Sequence, residues 1–158
     1  MKESKLRKTL KCSIRESSQI IKDSIRLIPQ IEKTISIITK CILDGNKVIL
    51  FGNGGSAADA QHIAAELIGK FKINRSSFPA IALTTDSSVI TSLSNDYSFD
   101  IVFSRQCESL VQKGDVVIGI STSGNSVNVK KGLETAKKKG AITIGLLGSK
   151  GGTIKKLV

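Results

Sequence analysis

The sequence is poor in aromatic and histidine side chains. Of its 158 residues, 4% are aromatic, none is Trp, and a single histidine is present, His62. Proteins that bind single-stranded nucleic acid without sequence preference stack the bases on aromatic side chains, so this composition argues against such a protein.

Cysteine and long apolar runs are also scarce. The three cysteines are an odd number without the spacing of a metal site, and we expect them to be small core residues rather than disulfides: Cys12, Cys41 and Cys107. Neither a secretory leader nor an apolar run of about 18 residues is visible. We therefore expect a cytoplasmic protein in a reducing environment.

Charge is the one unusual quantity, with a formal net charge of +11. The basic residues are spread along the chain, and their densest runs lie mostly at helix ends or termini. Two interpretations remain: a solvated surface that attracts anionic substrates, or a surface for nucleic acid or acidic membrane. The even spread favours the first, so we predict neither a nucleic-acid nor a membrane partner.

The N-terminal part has a helical pattern. Apolar residues recur every three, four or seven positions from Leu6 to Ile28, which predicts a helix over residues 3–28. Pro29 interrupts it, a second apolar stripe follows, and Gly45 is a plausible C-cap, which places the N-terminal helices in residues 1–45. The stripe could lie on a membrane surface or pack against the domain or a partner subunit. Without aromatic residues at its boundary, packing is favoured.

From Lys47 onward, short apolar runs alternate with helical patterns. Strands are predicted at 47–51, 80–84, 115–120 and 142–147, and helices at 57–70, 87–94, 98–112 and 127–139. This alternation predicts a single α/β domain over 1–158 with a doubly wound, flavodoxin-like parallel sheet. Residues 153–158 look like the start of another helix, and we expect the full protein to continue with a further strand and helix.

Two Gly- and Ser-rich loops follow predicted strands. The first, Gly52–Ser56, has neither the spacing of a dinucleotide fingerprint nor that of a P-loop. It could bind an anion at the helix that follows, or it could be a tight strand-to-helix turn that needs glycine geometry. Its spacing does not separate the two interpretations.

The second loop, Ser121–Ser126, is richer in hydroxyl groups. Four hydroxyl residues surround Gly124 directly before a helix: Ser121, Thr122, Ser123 and Ser126. Such groups can surround a phosphate together with backbone N–H groups. The alternative is a helix cap made by Ser123 or Asn125, but one cap needs one such residue. The pattern favours phosphate.

Three titratable residues share one face of the helix after the first loop. Asp59, His62 and Glu66 fall at steps of three and four. They could form its solvent face, or His62 and Glu66 could share a divalent metal or place a carboxylate base beside a substrate. Farther on, the pair Asn95 and Asp96 is by itself only a turn signal.

These motifs together resemble one family. The segments Gly52-Asn53-Gly54-Gly55-Ser56, Asp59-Ala60-Gln61-His62, Ala65-Glu66-Leu67, Ser94-Asn95-Asp96 and Ile120-Ser121-Thr122-Ser123-Gly124-Asn125-Ser126 closely resemble those of the phosphoheptose isomerases, in the same order. Those enzymes are members of the sugar isomerase (SIS) domain family. The resemblance covers about residues 30 to 158.

The resemblance implies an enzymatic function. The implied reaction is the isomerisation of D-sedoheptulose 7-phosphate to D-glycero-D-manno-heptose 7-phosphate, the first step toward the heptose of bacterial lipopolysaccharide or capsule. It also implies one zinc ion per subunit and a cytoplasmic homotetramer with active sites between subunits, where the N-terminal helix helps pack the assembly.

The resemblance also implies residue roles. Ser121, Thr122, Ser123 and Ser126 would cradle the phosphate; Asn53, Gly54, Gly55 and Ser56 would line the sugar; and Asn95 and Asp96 would contact it. Glu66 would be the catalytic carboxylate, and His62 with Glu66 would be zinc ligands.

Lys70 stands where many relatives have Arg, and the Gln and His that the family places in a C-terminal segment would lie beyond Val158. The alternative function is that of a non-catalytic SIS-domain tetramer that binds the replication initiator protein. Glu66 and the intact Gly54-Gly55 pair argue against it. A sugar-phosphate-sensing regulator is weaker still, because the N-terminal residues show no helix-turn-helix of adequate length.

Overall fold

The structure is a computed structural model that describes residues 4–158. The chain divides into two units, residues 1–36 and 37–158. In the first unit, helix α1 (Lys5–Asp23) begins after Ser4, whose hydroxyl accepts a hydrogen bond from the N–H of Arg7 at 3.2 Å. A 3₁₀ turn, Ser24–Leu27, follows, and helix α2 (Ile28–Leu43) runs from the first unit into the second.

The helix predicted over 3–28 is shorter than expected. α1 ends at Asp23, and Pro29 lies in the first turn of α2 rather than at a break after Ile28. Proline is tolerated there because the first N–H groups of a helix have no intrahelical acceptor and the ring presets a helical φ.

None of residues 4–36 is buried. Their apolar stripe is exposed, with Leu10 at 55% and Ile14 at 69% of full exposure. Cys12 is exposed as well, so the prediction that it is a core residue was wrong, whereas Cys41 and Cys107 are buried as predicted. Periodicity identified this helix, but periodicity does not say what covers its apolar side.

The second unit contains a parallel sheet of four strands in the order β2-β1-β3-β4. The strands are β1 (Val48–Gly52), β2 (Ala80–Ala82), β3 (Val116–Ser121) and β4 (Ile142–Leu147). β1 and β3 are neighbours, with Gly52 opposite Ile120. The two predicted polar loops therefore leave adjacent strands at the same edge of the sheet.

Helices connect the strands. They are α3 (Gly55–Ile68), α4 (Ser87–Asp96), α5 (Val102–Leu110) and α6 (Val127–Lys138). The helix predicted over 98–112 is a 3₁₀ turn, Phe99–Ile101, followed by α5. Instead of the helix expected from residue 153, a single 3₁₀ turn forms over Ile154–Lys156.

The sheet is covered on both faces, which confirms the doubly wound α/β architecture. On one face, Ile49 and Phe51 pack with residues of α5 and α6, and the rings of Phe51 and Phe103 stack at 4.9 Å. On the other face, Val48 and Leu50 pack with residues of α2 and α3. Alternate residues of one central strand thus serve two cores.

A buried ion pair joins β1 and β3 at the amino edge of the sheet. Asp115, 1% exposed, lies 2.8 Å from the ammonium of Lys47. Its carboxylate also accepts the N–H of Lys47 at 3.1 Å and the N–H of Gln112 at 2.8 Å. These bonds satisfy a charge that burial would otherwise make costly.

Among residues 4–158, no helix combines the length and the apolar character that crossing a bilayer requires.

Candidate active site

The first loop is a tight turn between β1 and α3. A side chain at Gly52 would place its Cβ 2.8 Å from the carbonyl oxygen of Ile120, and Gly54 has a φ of +55°. Glycine is required at the first position by close approach and favoured at the second by backbone conformation. The turn interpretation is therefore confirmed, and it leaves the anion-binding interpretation open, because the same geometry presents the start of α3 at the sheet edge.

Hydrogen bonds organise the hydroxyl groups of the second loop. The buried Ser121 has its Oγ 3.0 Å from the Oγ of Ser126, and it accepts the N–H of Gly124 at 3.1 Å. The Oγ of Ser123 accepts the N–H of Asn125 at 3.2 Å. These contacts fold the loop into a compact turn and leave Thr122 and Ser123 exposed to solvent.

The capping interpretation of this loop was wrong. The N-cap of α6 is Ser126, and its side chain makes no capping hydrogen bond. Ser123 and Asn125 bond within the loop instead of to the first turn of α6. The side chain of Asn128 accepts the N–H of Val129 at 2.9 Å, so the preceding N–H groups of the helix remain available to an anion.

A second segment, residues 148–154, holds the loop from behind. The side-chain oxygen of Asn125 accepts the N–H of Thr153 at 2.9 Å, and the carbonyl of Gly124 accepts the N–H of Ile154 at 3.0 Å. Gly124 has a φ of +67°, and a Cβ there would collide with the backbone of Gly151. The sequence predicted a loop up to Gly152 and the start of a helix from Thr153, but it did not predict that this segment contacts the second loop.

Asn128 joins the two loops, and sequence reasoning missed it. Its amide and that of Asn53 exchange two hydrogen bonds, each 2.9 Å long. Asn128 is 3% exposed, so this pair is shielded from competing water. The first loop and the start of α6 are thereby held at a set separation, although the partners are 75 positions apart in the chain.

His62 and Glu66 lie together on α3. The Nε2 of His62 is 3.4 Å from the Oε1 of Glu66, and the two side chains are 76% and 40% exposed. Within residues 4–158, no group of three or more His, Cys, Asp or Glu residues could hold a metal ion. A structural or catalytic zinc ion takes at least three protein ligands, so this pair alone does not fit one.

Glu66 lies far from the two loops of its own chain. It is in the last turn of α3, about 16 Å along the helix from Gly55. The next residue, Leu67, accepts the N–H of Phe78 at 3.1 Å, and Pro79 accepts the N–H of Val48, the first residue of β1. Glu66 is therefore near the amino edge of the sheet, whereas the loops leave the carboxyl edge.

Asn95 and Asp96 bond to each other. They are exposed at the end of α4, where the amide of Asn95 donates to the carboxylate of Asp96 at 2.8 Å. One chain thus brings together the predicted phosphate and sugar loops, but places the predicted catalytic carboxylate at the other edge of the sheet.

Comparison with known proteins defines the class. The SIS domain family matches residues 14–148, and the chain belongs to this family. The predicted family is therefore confirmed.

Particular relatives carry an enzyme name. The chain is 56% identical to the phosphoheptose isomerase of Citrifermentans bemidjiense over 82% of its own length and 67% of the relative. It is 54% identical to that of Aquifex aeolicus over 90% of its length and 75% of the relative. The solved structure of the phosphoheptose isomerase from Neisseria gonorrhoeae superposes with a TM-score of 0.91 at 38% identity, covering 97% of this chain and 80% of that one.

Proposed function

We propose that this protein is an aldose–ketose isomerase that converts D-sedoheptulose 7-phosphate to D-glycero-D-manno-heptose 7-phosphate. The observation that carries the proposal is the pair of polar loops held together by Asn53 and Asn128 at one edge of the sheet. Open parallel sheets bind ligands at this edge. The relatives described above supply the substrate class, because they are named phosphoheptose isomerases.

The second loop would bind the phosphate. Its hydroxyl groups, the free N–H groups of the α6 first turn and the positive end of that helix all favour an anion. Ser56, Asn53 and the glycines of the first loop would lie along the sugar. The high net positive charge would raise the local concentration of an anionic substrate.

Glu66 would transfer the proton. Isomerisation moves a proton between C1 and C2 through an enediol, so it needs a base that can give the proton back to the neighbouring carbon. Glu66 is 40% exposed, which leaves its carboxylate open to a bound sugar. The phosphate loop holds one end of the substrate, and binding energy at that end orients the reacting carbons.

The separation within one chain supports an assembly. If Glu66 and the phosphate loop lie at opposite edges of one sheet, a site that uses both must combine two subunits. We therefore propose a homotetramer with active sites between subunits. The exposed stripe of α1, with Leu10, Ile14 and Ile21 more than half exposed, would be the packing surface for another subunit.

We also propose that one zinc ion binds per subunit. His62 and Glu66 would supply two ligands, and further ligands would have to come from outside the described residues. A bound zinc would polarise the sugar carbonyl. Zinc content measured by mass spectrometry in the wild-type protein and in His62→Ala tests the ligand assignment, and equal zinc in both would contradict it.

The first experiment is the Glu66→Gln variant, assayed for loss of sedoheptulose 7-phosphate by NMR. Because a positioned proton-transfer group contributes about 10²–10⁴-fold to rate, we expect turnover to fall by that factor while the substrate still binds. Unchanged turnover would remove Glu66 from this role.

A mixing experiment tests whether sites lie between subunits. Ser126→Asp places a carboxylate against the phosphate but keeps a residue that caps helices well, so the fold should survive. Glu66→Gln and Ser126→Asp are each expected to be inactive, and coassembled from denaturant they should recover activity at about a quarter of the sites. No recovery in verified mixed oligomers would show that each site uses both residues from one chain.

The initiator-binding alternative gains no support, since the relatives reported above carry an enzyme name. Supply of heptose to lipopolysaccharide or capsule, and a cytoplasmic location, stay predictions of the resemblance.

A further inference from the structure

The carboxyl end of α3 is closed by an arginine from the following segment. We propose that Arg75 is a positioning residue for the isomerisation, because it holds the helical turn that carries Glu66. This inference rests on the proposed function, in which Glu66 is the base.

Arg75 donates hydrogen bonds to the backbone of Glu66 and of the residue that follows it. Its Nη2 donates to the carbonyl of Glu66 at 2.7 Å, and its Nη1 donates to the carbonyl of Leu67 at 2.9 Å. The last four carbonyls of a helix have no intrahelical donor, so a guanidinium fork satisfies two of them at once. The C-cap residue, Gly69, reaches only the carbonyl of Ala65.

The charge of Arg75 also suits this position. The last turn of α3 contains no basic residue of its own, although the carboxyl end of a helix carries partial negative charge. Arg75 supplies the compensating cation from outside the helix. Lys70, the residue after the C-cap, makes no hydrogen bond or ion pair in the described part of the chain, and its side chain is exposed.

Arg75 is itself held in place. Its guanidinium lies 4.0 Å from the centre of the Phe78 ring and donates to the carbonyl of Ser76 at 2.9 Å. Phe78 in turn donates its N–H to Leu67 at 3.1 Å. The fork is therefore preorganised against the helix end, which a flexible ammonium would not be.

The side chain of Glu66 has little else to position it. In residues 4–158 its one side-chain partner is His62, itself 76% exposed. If the last turn of α3 frays, the carboxylate moves relative to the sugar, and a displacement of about 1 Å can cost about 10²-fold in rate. Arg75 thus acts on catalysis through the backbone of Glu66 and not through its carboxylate.

The test compares Arg75→Ala, Arg75→Lys and a control, Arg105→Ala. Arg105 pairs with Glu108 at 2.8 Å on an exposed part of α5, so its removal deletes a similar charge away from α3. We expect kcat of Arg75→Ala to fall about 10- to 100-fold while KM changes little, because the phosphate loop is at the other edge of the sheet. Arg75→Lys should recover only a small part, and Arg105→Ala should match wild type.

Hydrogen exchange separates this idea from the proposed function. Arg75→Ala should speed exchange at the amides of the last turn of α3 while leaving those of α6 unchanged, whether or not the protein turns over the heptose. Unchanged exchange at these amides would show that Arg75 does not stabilise the end of α3. Faster exchange with unchanged kcat would refute the positioning role. A wild-type protein that does not isomerise the heptose would refute the proposed function and the catalytic part of this inference, with the cap still judged by exchange.

Discussion

Residues 4–36 and residues 37–158 show the same kind of sequence pattern with opposite outcomes. In both, apolar residues recur at helical spacing, yet α1 buries none of its residues while α6 buries Val129, Leu133 and Ala136 against the sheet. The difference is a neighbouring surface: α6 follows a buried strand and is returned onto it, whereas α1 precedes all the strands. An apolar stripe therefore predicts a helix securely and its partner poorly.

The largest effect on stability should come from breaking the buried ion pair in the second unit. Asp115→Ala leaves the ammonium of Lys47, whose side chain is 21% exposed, without its partner, and removal of one member of a buried pair costs about 3–5 kcal/mol. Denaturant unfolding should show that the free energy of unfolding falls by this amount. The exposed pair of Lys40 and Asp44, 3.0 Å apart, is the control, and Asp44→Ala should cost less than about 1 kcal/mol. Equal losses of unfolding free energy in the two variants would mean that the buried pair stabilises the fold no more than the exposed pair does.

Two leucine-to-alanine variants test whether apolar residues are buried in the second unit but not in α1. Leu133→Ala removes a side chain that is 1% exposed and should cost about 2–5 kcal/mol of unfolding free energy. Leu10→Ala, at a position 55% exposed, should change the unfolding of the second unit by less than about 0.5 kcal/mol. Its effect should instead appear in sedimentation, as a weaker assembly. A large loss in dilute monomeric Leu10→Ala would show that α1 is buried within one chain.

A substitution in the phosphate loop should have a smaller effect on stability and a clear one on binding. Gly124→Ala forces a left-handed backbone on a residue with a Cβ, which costs about 1–2 kcal/mol, and the Cβ also collides with Gly151. Phosphate-competition assays should show weaker binding of the heptose phosphate. Gly45→Ala is the control, because Gly45 also has a positive φ, +80°, but a Cβ there meets open space outside both loops. If Gly124→Ala binds as tightly as wild type, the loop does not hold the phosphate.

The smallest expected effect concerns the thiols. Burial raises the pKa of Cys107 from 9.0 to about 12. Since the folded-state pKa lies above the unfolded one, this thiol stabilises the fold fully below pH 9, and that contribution declines as pH rises from 9 toward 12. Thermal melts between pH 8 and 11 should show less decline in Cys107→Ala than in wild type, and an equal decline would exclude the thiol as a cause.

Thiol labelling tests the same difference in burial between the two units. At neutral pH without denaturant, an aromatic disulfide reagent should modify Cys12 quickly and Cys107 only on unfolding, because only the first is exposed. Fast reaction of Cys107 would show that its surroundings open readily.

Much of the fold was predictable because its signals are local. The apolar run of β3 and the glycine-hydroxyl turn after it marked a buried parallel strand and the start of α6, and both are observed. The residues that organise the candidate site were less visible. Asn128 and Arg75 looked like ordinary polar residues, since their partners, Asn53 and the carbonyl of Glu66, become neighbours only when the chain folds.

By itself, the sequence determined the α/β class, the alternation of strands and helices and the two polar loops, because periodicity and turn chemistry act within a few residues. The family followed from the resemblance of the motifs. Tertiary structure decided which of the predicted site residues meet. It brought the two loops together, since β1 and β3 are neighbours, and it placed Glu66 at the other edge of the sheet, since α3 runs the full depth of the strands. Such distances depend on strand order and helix length together, which no local pattern encodes.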